Sequence, residues 1–160
     1  MPQGSKIMEL EAADRRILVA LQKRGRISNQ ELAEATGMSP SSCWRRMRAL
    51  EDSGVIRHYA TILNPEACGL DFHAIVHVVL ARHKPDTQAG FVAAIRERRE
   101  VLDCFSTTGD ADYHLRVRCA SKEAYNRFLE EFLFGLPGVS TVRTNLVLRE
   151  IKHENAIPLD

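Results

Sequence analysis

Residues 28–56, SNQELAEATGMSPSSCWRRMRALEDSGVI, decide the fold of this chain. The stretch reads as helix, tight turn, second helix, then the start of a strand. Ser28 suits an N-cap, and Gln30, Glu31 and Glu34 place polar and acidic groups near the positive end of the helix dipole. Leu32, Ala33 and Ala35 give a small apolar stripe. Gly37 ends the first helix, because a left-handed residue costs glycine least. Ser39 and Pro40 open the next helix as N-cap and first helical residue.

The second helix carries the functional reading. At about 100° per residue, Cys43, Met47 and Leu50 fall on one narrow face. Ser41, Arg45 and Arg48 fall opposite, flanked by Ser42, Trp44 and Ala49. Small hydroxyls thus occupy the N-terminal end and arginines follow, with the first acid only at Glu51. Such a helix suits the major groove: its small end can approach the bases, and Arg can fork onto guanine O6 and N7 or onto phosphate. The competing reading is an ordinary helical hairpin with a solvated basic face. The ordered set of N-cap, Gly turn, Ser-Pro cap and one-sided arginines favours DNA. The candidate DNA-binding residues are Ser28, Asn29, Ser39, Ser41, Ser42, Trp44, Arg45, Arg46 and Arg48.

From Leu10 to Gly69 the sequence resembles the winged helix-turn-helix of the leucine-responsive/asparagine-operon (Lrp/AsnC) regulators, and the resemblance continues through nearly all of the chain. It implies a transcriptional regulator, not an enzyme, that binds a double-stranded DNA operator and responds to a small amino-acid effector. It also implies a homodimer that assembles further to a tetramer or octamer.

Working outward, charge separates two halves. Residues 1–64 hold 10 Lys+Arg against 7 Asp+Glu, and residues 65–160 hold 12 against 14. A basic N-terminal half in a chain of net charge +1 indicates a local nucleic-acid surface rather than a polycation. Residues 1–8 lack a periodic pattern and are expected to be a disordered tail. A helix over residues 10–23 carries Leu10, Ala13, Ile17 and Leu21 at helical spacing and closes a three-helix core. After Gly54 the alternation of VIRHYATIL predicts a wing or linker strand that ends at Asn64-Pro65. By resemblance, this strand pairs across a dimer.

From Phe72 the pattern predicts strand 72–82, helix 86–99, strand 101–108, turn 109–112, strand 113–120, a helix capped by Ser121, and a last strand 139–151. This is the ferredoxin-like βαββαβ order, and the fold class is α+β. The expected domains are a winged helix-turn-helix with linker strand over 9–64 and a ligand-binding and oligomerisation domain over 70–153, with 154–160 as a tail. Two helices on one sheet face leave the other uncovered. Ile75, Val79, Phe105, Val147 and Ile151 are expected on that face as an apolar association surface.

The turn at residues 107–113, TTGDADY, is the second informative place. An Asp there could accept from an ammonium group, while backbone N–H groups and Thr hydroxyls donate to a carboxylate. Plain hairpin chemistry accounts for the same residues, since Gly and Asp dominate turns. Gly109, Asp112 and Tyr113 match the G-x-x-D-Y pattern where the family's effector pocket begins, which resemblance places between dimers. The candidate effector residues are Thr108, Gly109, Asp110, Asp112 and Tyr113, with Asp112 as ammonium partner, and Ser140, Val142 and Thr144 as the opposite wall.

The four cysteines form no C-x-x-C pair and no zinc spacing, so they read as reduced thiols in a cytoplasmic protein. His73, His77 and His114 read as packed interface residues rather than metal ligands. No cofactor, metal or catalytic set is indicated, and no apolar run reaches the ~18 residues of a membrane span. Two readings compete with an effector-regulated DNA binder. One is a metabolite-binding enzyme or sensor subunit that uses the ferredoxin-like half. The other is an architectural DNA binder without effector.

Overall fold

The computed structural model describes residues 9–81 and 85–159. The disorder expected for residues 1–8 and the end of the first expected strand, at Arg82, lie outside the described residues. The chain divides into two compact units. One runs to Ile62 and includes the residues from Lys152 onward; the other spans Leu63–Ile151. Among the described residues, no helix is long and apolar enough to cross a membrane.

In the first unit, α1 (Ala12–Lys23), α2 (Asn29–Thr36) and α3 (Pro40–Asp52) pack around Ile17, Leu18, Leu32, Ala33, Cys43 and Leu50. Each boundary has a local cause. Ser28 Oγ accepts from Glu31 N at 3.2 Å while the Glu31 carboxylate accepts from Ser28 N at 2.8 Å, a reciprocal capping box. Gly37 adopts φ 69° and donates to Ala33 and Glu34 carbonyls as the C-cap. Ser39 Oγ accepts from Ser42 N, and Pro40 stands at the first helical position.

Residues 154–159, expected as a free tail, instead lie along α1. Ile157 N donates to Gln22 Oε1 at 2.7 Å, and Gln22 Nε2 donates back to Ile157 O at 3.1 Å. Leu159 packs against the helical core. Residues 57–64, expected as a strand that pairs across a dimer, join no ladder within their own chain. Their alternation is compatible with a strand, but strand propensity is expressed through cross-strand packing and pairing. Tyr59 instead donates its hydroxyl to Glu51 at 2.9 Å.

In the second unit, β1 (Phe72–Leu80), α4 (Pro85–Arg96), β2 (Val101–Ser106), β3 (Tyr113–Cys119), α5 (Lys122–Glu131) and β4 (Val139–Leu146) follow the expected order. The sheet is antiparallel with order β2-β3-β1-β4. One face is sealed: Ala74, Val76, Val78, Leu80, Leu115 and Val117 pack with Phe91, Ile95, Tyr125, Phe128 and Leu133. Phe91 meets Tyr113 at a tilt with ring centroids 4.6 Å apart, and Phe72 stacks on Tyr125 at 4.7 Å.

The opposite face carries expected apolar residues among polar ones: Phe105, paired with His114 and 59% exposed, lies on it with Ile75 and Val79. Cross-strand register sets His77 between His114 and Arg143, and Ile75 between Arg116 and Asn145. Arg116 is ion-paired with Asp103 on β2. Ile75 and Val79 are half-buried among polar neighbours. β4 ends at Leu146, so Ile151 is not part of the sheet.

Candidate functional site

The outward face of α3 is built on a fixed base. Cys43 and Leu50 are fully buried, which turns Trp44, Arg45 and Arg48 to solvent. Trp44 is 52% exposed, and the Arg48 guanidinium lies 5.7 Å from its ring centroid. Arg48 also pairs with Glu51 at 3.2 Å, and Glu51 in turn accepts from Tyr59. Burial and this carboxylate push the Tyr59 hydroxyl up to about 12. The result is a chain of contacts, Trp44 to Arg48 to Glu51 to Tyr59, that holds Arg48 along the helix. Arg45 is exposed and makes no ion pair among the described residues. Its five donors are available for a base edge or a phosphate.

Several of the expected DNA-contact residues also hold the local structure. Arg46 points back to α1, where Nη1 donates to Asp14 at 3.0 Å and Nη2 to Glu11 at 2.8 Å. Its side chain holds α3 on α1 and is not part of the open face. Asn29 Nδ2 donates to Pro40 O at 3.1 Å, which ties the start of α2 to the start of α3. Ser28 and Ser39 are caps, and Ser42 is half-buried in the first turn of α3. Ser41 Oγ lies 3.3 Å from Ser39 Oγ at the exposed N-terminal end.

The second site is a cavity of about 300 Å³ on the open sheet face, lined by His77, Val79, Thr108, Asp110, Ala111, His114, Thr141 and Arg143. The β2–β3 turn supplies one wall and β4 the other. Gly109, at φ 121°, lets the turn double back at a conformation side chains resist. Charge is divided across the cavity, with Asp110 on the turn and Arg143 on the strand. His77 and His114 form the floor with rings 4.6 Å apart, edge to face. Burial, then the neighbouring His114 and Arg143, hold the His77 imidazole below its ordinary value. Among the described residues, no group of three or more His, Cys, Asp or Glu could hold a metal ion.

Of the expected effector residues, Thr108 and Asp110 line this cavity and Asp112 does not. Its Oδ2 accepts from Leu80 N at 2.7 Å and its backbone N donates to Val78 O at 2.9 Å. This locks the turn to the irregular end of β1, where the β1–β4 register shifts. Tyr113 is buried on the helix-covered face against Phe91. Ser140, Val142 and Thr144 are also absent from the lining of the cavity. Val142 pairs with Val78, and Thr144 pairs with Val76 while its hydroxyl meets Tyr125 at 2.5 Å. Thr141 and Arg143 take the open face, because a one-residue step along a strand reverses the side chain. A signal was present: Val142 and Leu146 share the inward parity, which leaves Thr141, Arg143 and Asn145 outward.

Comparison with known proteins assigns each half of the chain to a domain model. Residues 10–57 match the winged helix-turn-helix DNA-binding model, and residues 73–157 match the Lrp/AsnC ligand binding domain model. The leucine-responsive regulatory protein of Salmonella typhimurium is 40% identical over 149 residues, which cover 93% of this chain and 91% of that protein. That of Haemophilus influenzae is 41% identical over 150 residues, covering 94% and 90%. Among solved structures, a transcriptional regulator of Neisseria meningitidis in complex with L-Met superposes with a TM-score of 0.91 at 39% identity, covering 95% of this chain and 98% of that one. An AsnC family transcriptional regulator of Agrobacterium tumefaciens superposes with a TM-score of 0.89 at 28% identity, covering 93% and 97%.

Proposed function

This chain belongs to the Lrp/AsnC family of transcriptional regulators, and from that premise we propose that an amino acid bound beside the β2–β3 turn modulates how α3 reads its operator. The observation that carries the proposal is the division of charge across the open-face cavity. An α-amino acid presents an ammonium and a carboxylate on one carbon. Asp110 is placed to accept from the ammonium and Arg143 to fork onto the carboxylate. The hydroxyls of Thr108 and Thr141 supply further bonds, and Val79 with Ala111 give apolar contact. The structural relative solved with L-Met supports an amino acid as the ligand class.

The same reading includes self-association. Residues 57–64 have no ladder in their own chain, and Ile75 and Val79 lie on a sheet face that neither α4 nor α5 covers. A homodimer pairing these segments, assembled further to a tetramer or octamer, would bring a second copy against the cavity. The effector would then change which assembly is favoured, and with it the spacing of the two reading helices. Such a protein works where the chromosome is, in the cytoplasm.

The test is a titration of operator DNA at fixed salt, with and without the amino acid that gives the largest thermal stabilisation. Coupling should change DNA affinity by about 5–150-fold, and DNA should change amino-acid affinity by the same factor. If no amino acid in a full panel stabilises the protein or alters DNA binding, the effector reading falls and an effector-independent DNA binder remains.

A further inference from the structure

A second cavity, of about 370 Å³, opens on the helix-covered side of the second unit at the end of the sheet away from the β2–β3 turn. Arg98 and Arg99, between α4 and β2, form one side, and Arg127 on α5 forms the other. Leu102 and Phe132 supply apolar wall. We propose that this cavity binds a small organic dianion, with its anionic ends held by guanidinium groups from the two sides and its carbon body laid against Leu102 and Phe132.

Three features support the proposal. Arg98 stacks its guanidinium over the Phe132 ring at 3.9 Å, which fixes the plane of the fork and strips water from one of its faces. Arg99 and Arg127 make no ion pair among the described residues, although Glu100 and Glu131 line the same cavity. Here the forks are left open for an outside partner. Arg118 also lines the cavity and is already tied to Glu66 at 2.7 Å, yet its buried Nε has no hydrogen-bond partner. The donors here thus exceed the acceptors that the protein provides.

The concavity and volume fit a small molecule rather than a flat macromolecular surface. Planar guanidinium forks fit the paired oxygens of carboxylates and phosphates alike. The shared chemistry is two anionic oxygen groups on a short carbon chain. None of these residues lines the cavity assigned to the amino acid, so the two sites are separable.

Calorimetric titration of the full chain with sodium succinate and, separately, with propane-1,3-diphosphonate, which carries a phosphonate at each end, distinguishes a carboxylate ligand from a phosphate-type one. Both titrations are run against sodium chloride at matched ionic strength. Binding of at least one dianion is expected. The double variant Arg99→Ala/Arg127→Ala should weaken it by about tenfold or more, as expected when charge-assisted bonds are lost. Arg127→Lys, which keeps charge but loses the fork, should fall between. The double variant should keep the wild-type response to an amino acid. Absence of binding beyond the chloride control, or equal dianion affinity in wild type and double variant, overturns the proposal. Circular dichroism confirms that the variant, altered only at exposed side chains, is folded.

Discussion

Arg46 Nη1 on α3 donates to Asp14 Oδ1 on α1 at 3.0 Å, and Asp14 is only 2% exposed. The same carboxylate accepts from Glu11 N at 3.1 Å through its other oxygen. One buried acid therefore caps α1 and anchors the helix that carries the reading face. Hydrogen bonds to Asp14 and then Glu11 also hold the Arg46 guanidinium above its ordinary value.

Neighbouring arginines on one helix should consequently separate in their effects. Arg45→Ala should cost about 1–3 kcal/mol of operator affinity if Arg45 meets a base edge, with unfolding unchanged. Arg46→Ala should instead lower the thermal midpoint, because it leaves the Asp14 charge buried without its partner. Denaturation curves and DNA titrations on both variants check the pair. Equal loss of stability in the two variants would defeat the division of labour.

Asp110 and Asp112 should separate in the same way. Asp112→Ala removes the acceptor for the buried Leu80 N–H and should destabilise the second unit by about 1–3 kcal/mol. Asp110→Asn should leave stability near wild type and cost about 1.5–3 kcal/mol of amino-acid affinity, the range for a hydrogen bond to a charged group. Arg143→Ala should resemble Asp110→Asn. Urea midpoints and amino-acid titrations decide it; a full effector response in Asp110→Asn would remove Asp110 from the site.

Stability should fall as pH drops through the imidazole range. Burial, and then the Arg118 charge, hold His73 below its ordinary 6.5; Glu150, 3.9 Å away, pulls the other way, with smaller contributions from Arg116 and Glu66. His77 is lowered as well, by burial, His114 and Arg143. The folded chain therefore binds fewer protons than the unfolded chain between the depressed values and 6.5. Stability is fully present above 6.5 and is lost as pH falls below it. Glu31, Glu66 and Glu123 are held below 4.5 and titrate lower still. Urea midpoints measured between about pH 7.5 and 5.5 should decline, and His73→Gln with His77→Gln should flatten the decline. An unchanged slope in the double variant would assign the loss to other groups.

The helix-turn-helix was legible in the sequence because its signals are local. Ser28 and Glu31, Gly37, and Ser39 with Pro40 each satisfy or terminate backbone groups within a few residues, so spacing alone fixes the elements. The same holds for the inward stripe of Cys43, Met47 and Leu50, and for the strand and helix order after Phe72. What the outward side chains do depends on neighbours far along the chain. Arg45 and Arg46 are indistinguishable in the sequence, and only the packing of α1 against α3 puts a buried carboxylate beside one of them. Residues 57–64 lack a ladder within their own chain because a strand needs a partner that local sequence does not supply. The cavity required tertiary information of another kind. Which of Asp110 and Asp112 faces it, and whether Thr141 and Arg143 or Ser140 and Thr144 form its wall, turn on the pairing of β1 with β4 and on the backbone bond of Leu80. Side chains reverse at every residue along a strand, so an error of one position moves a residue from the open face to the core.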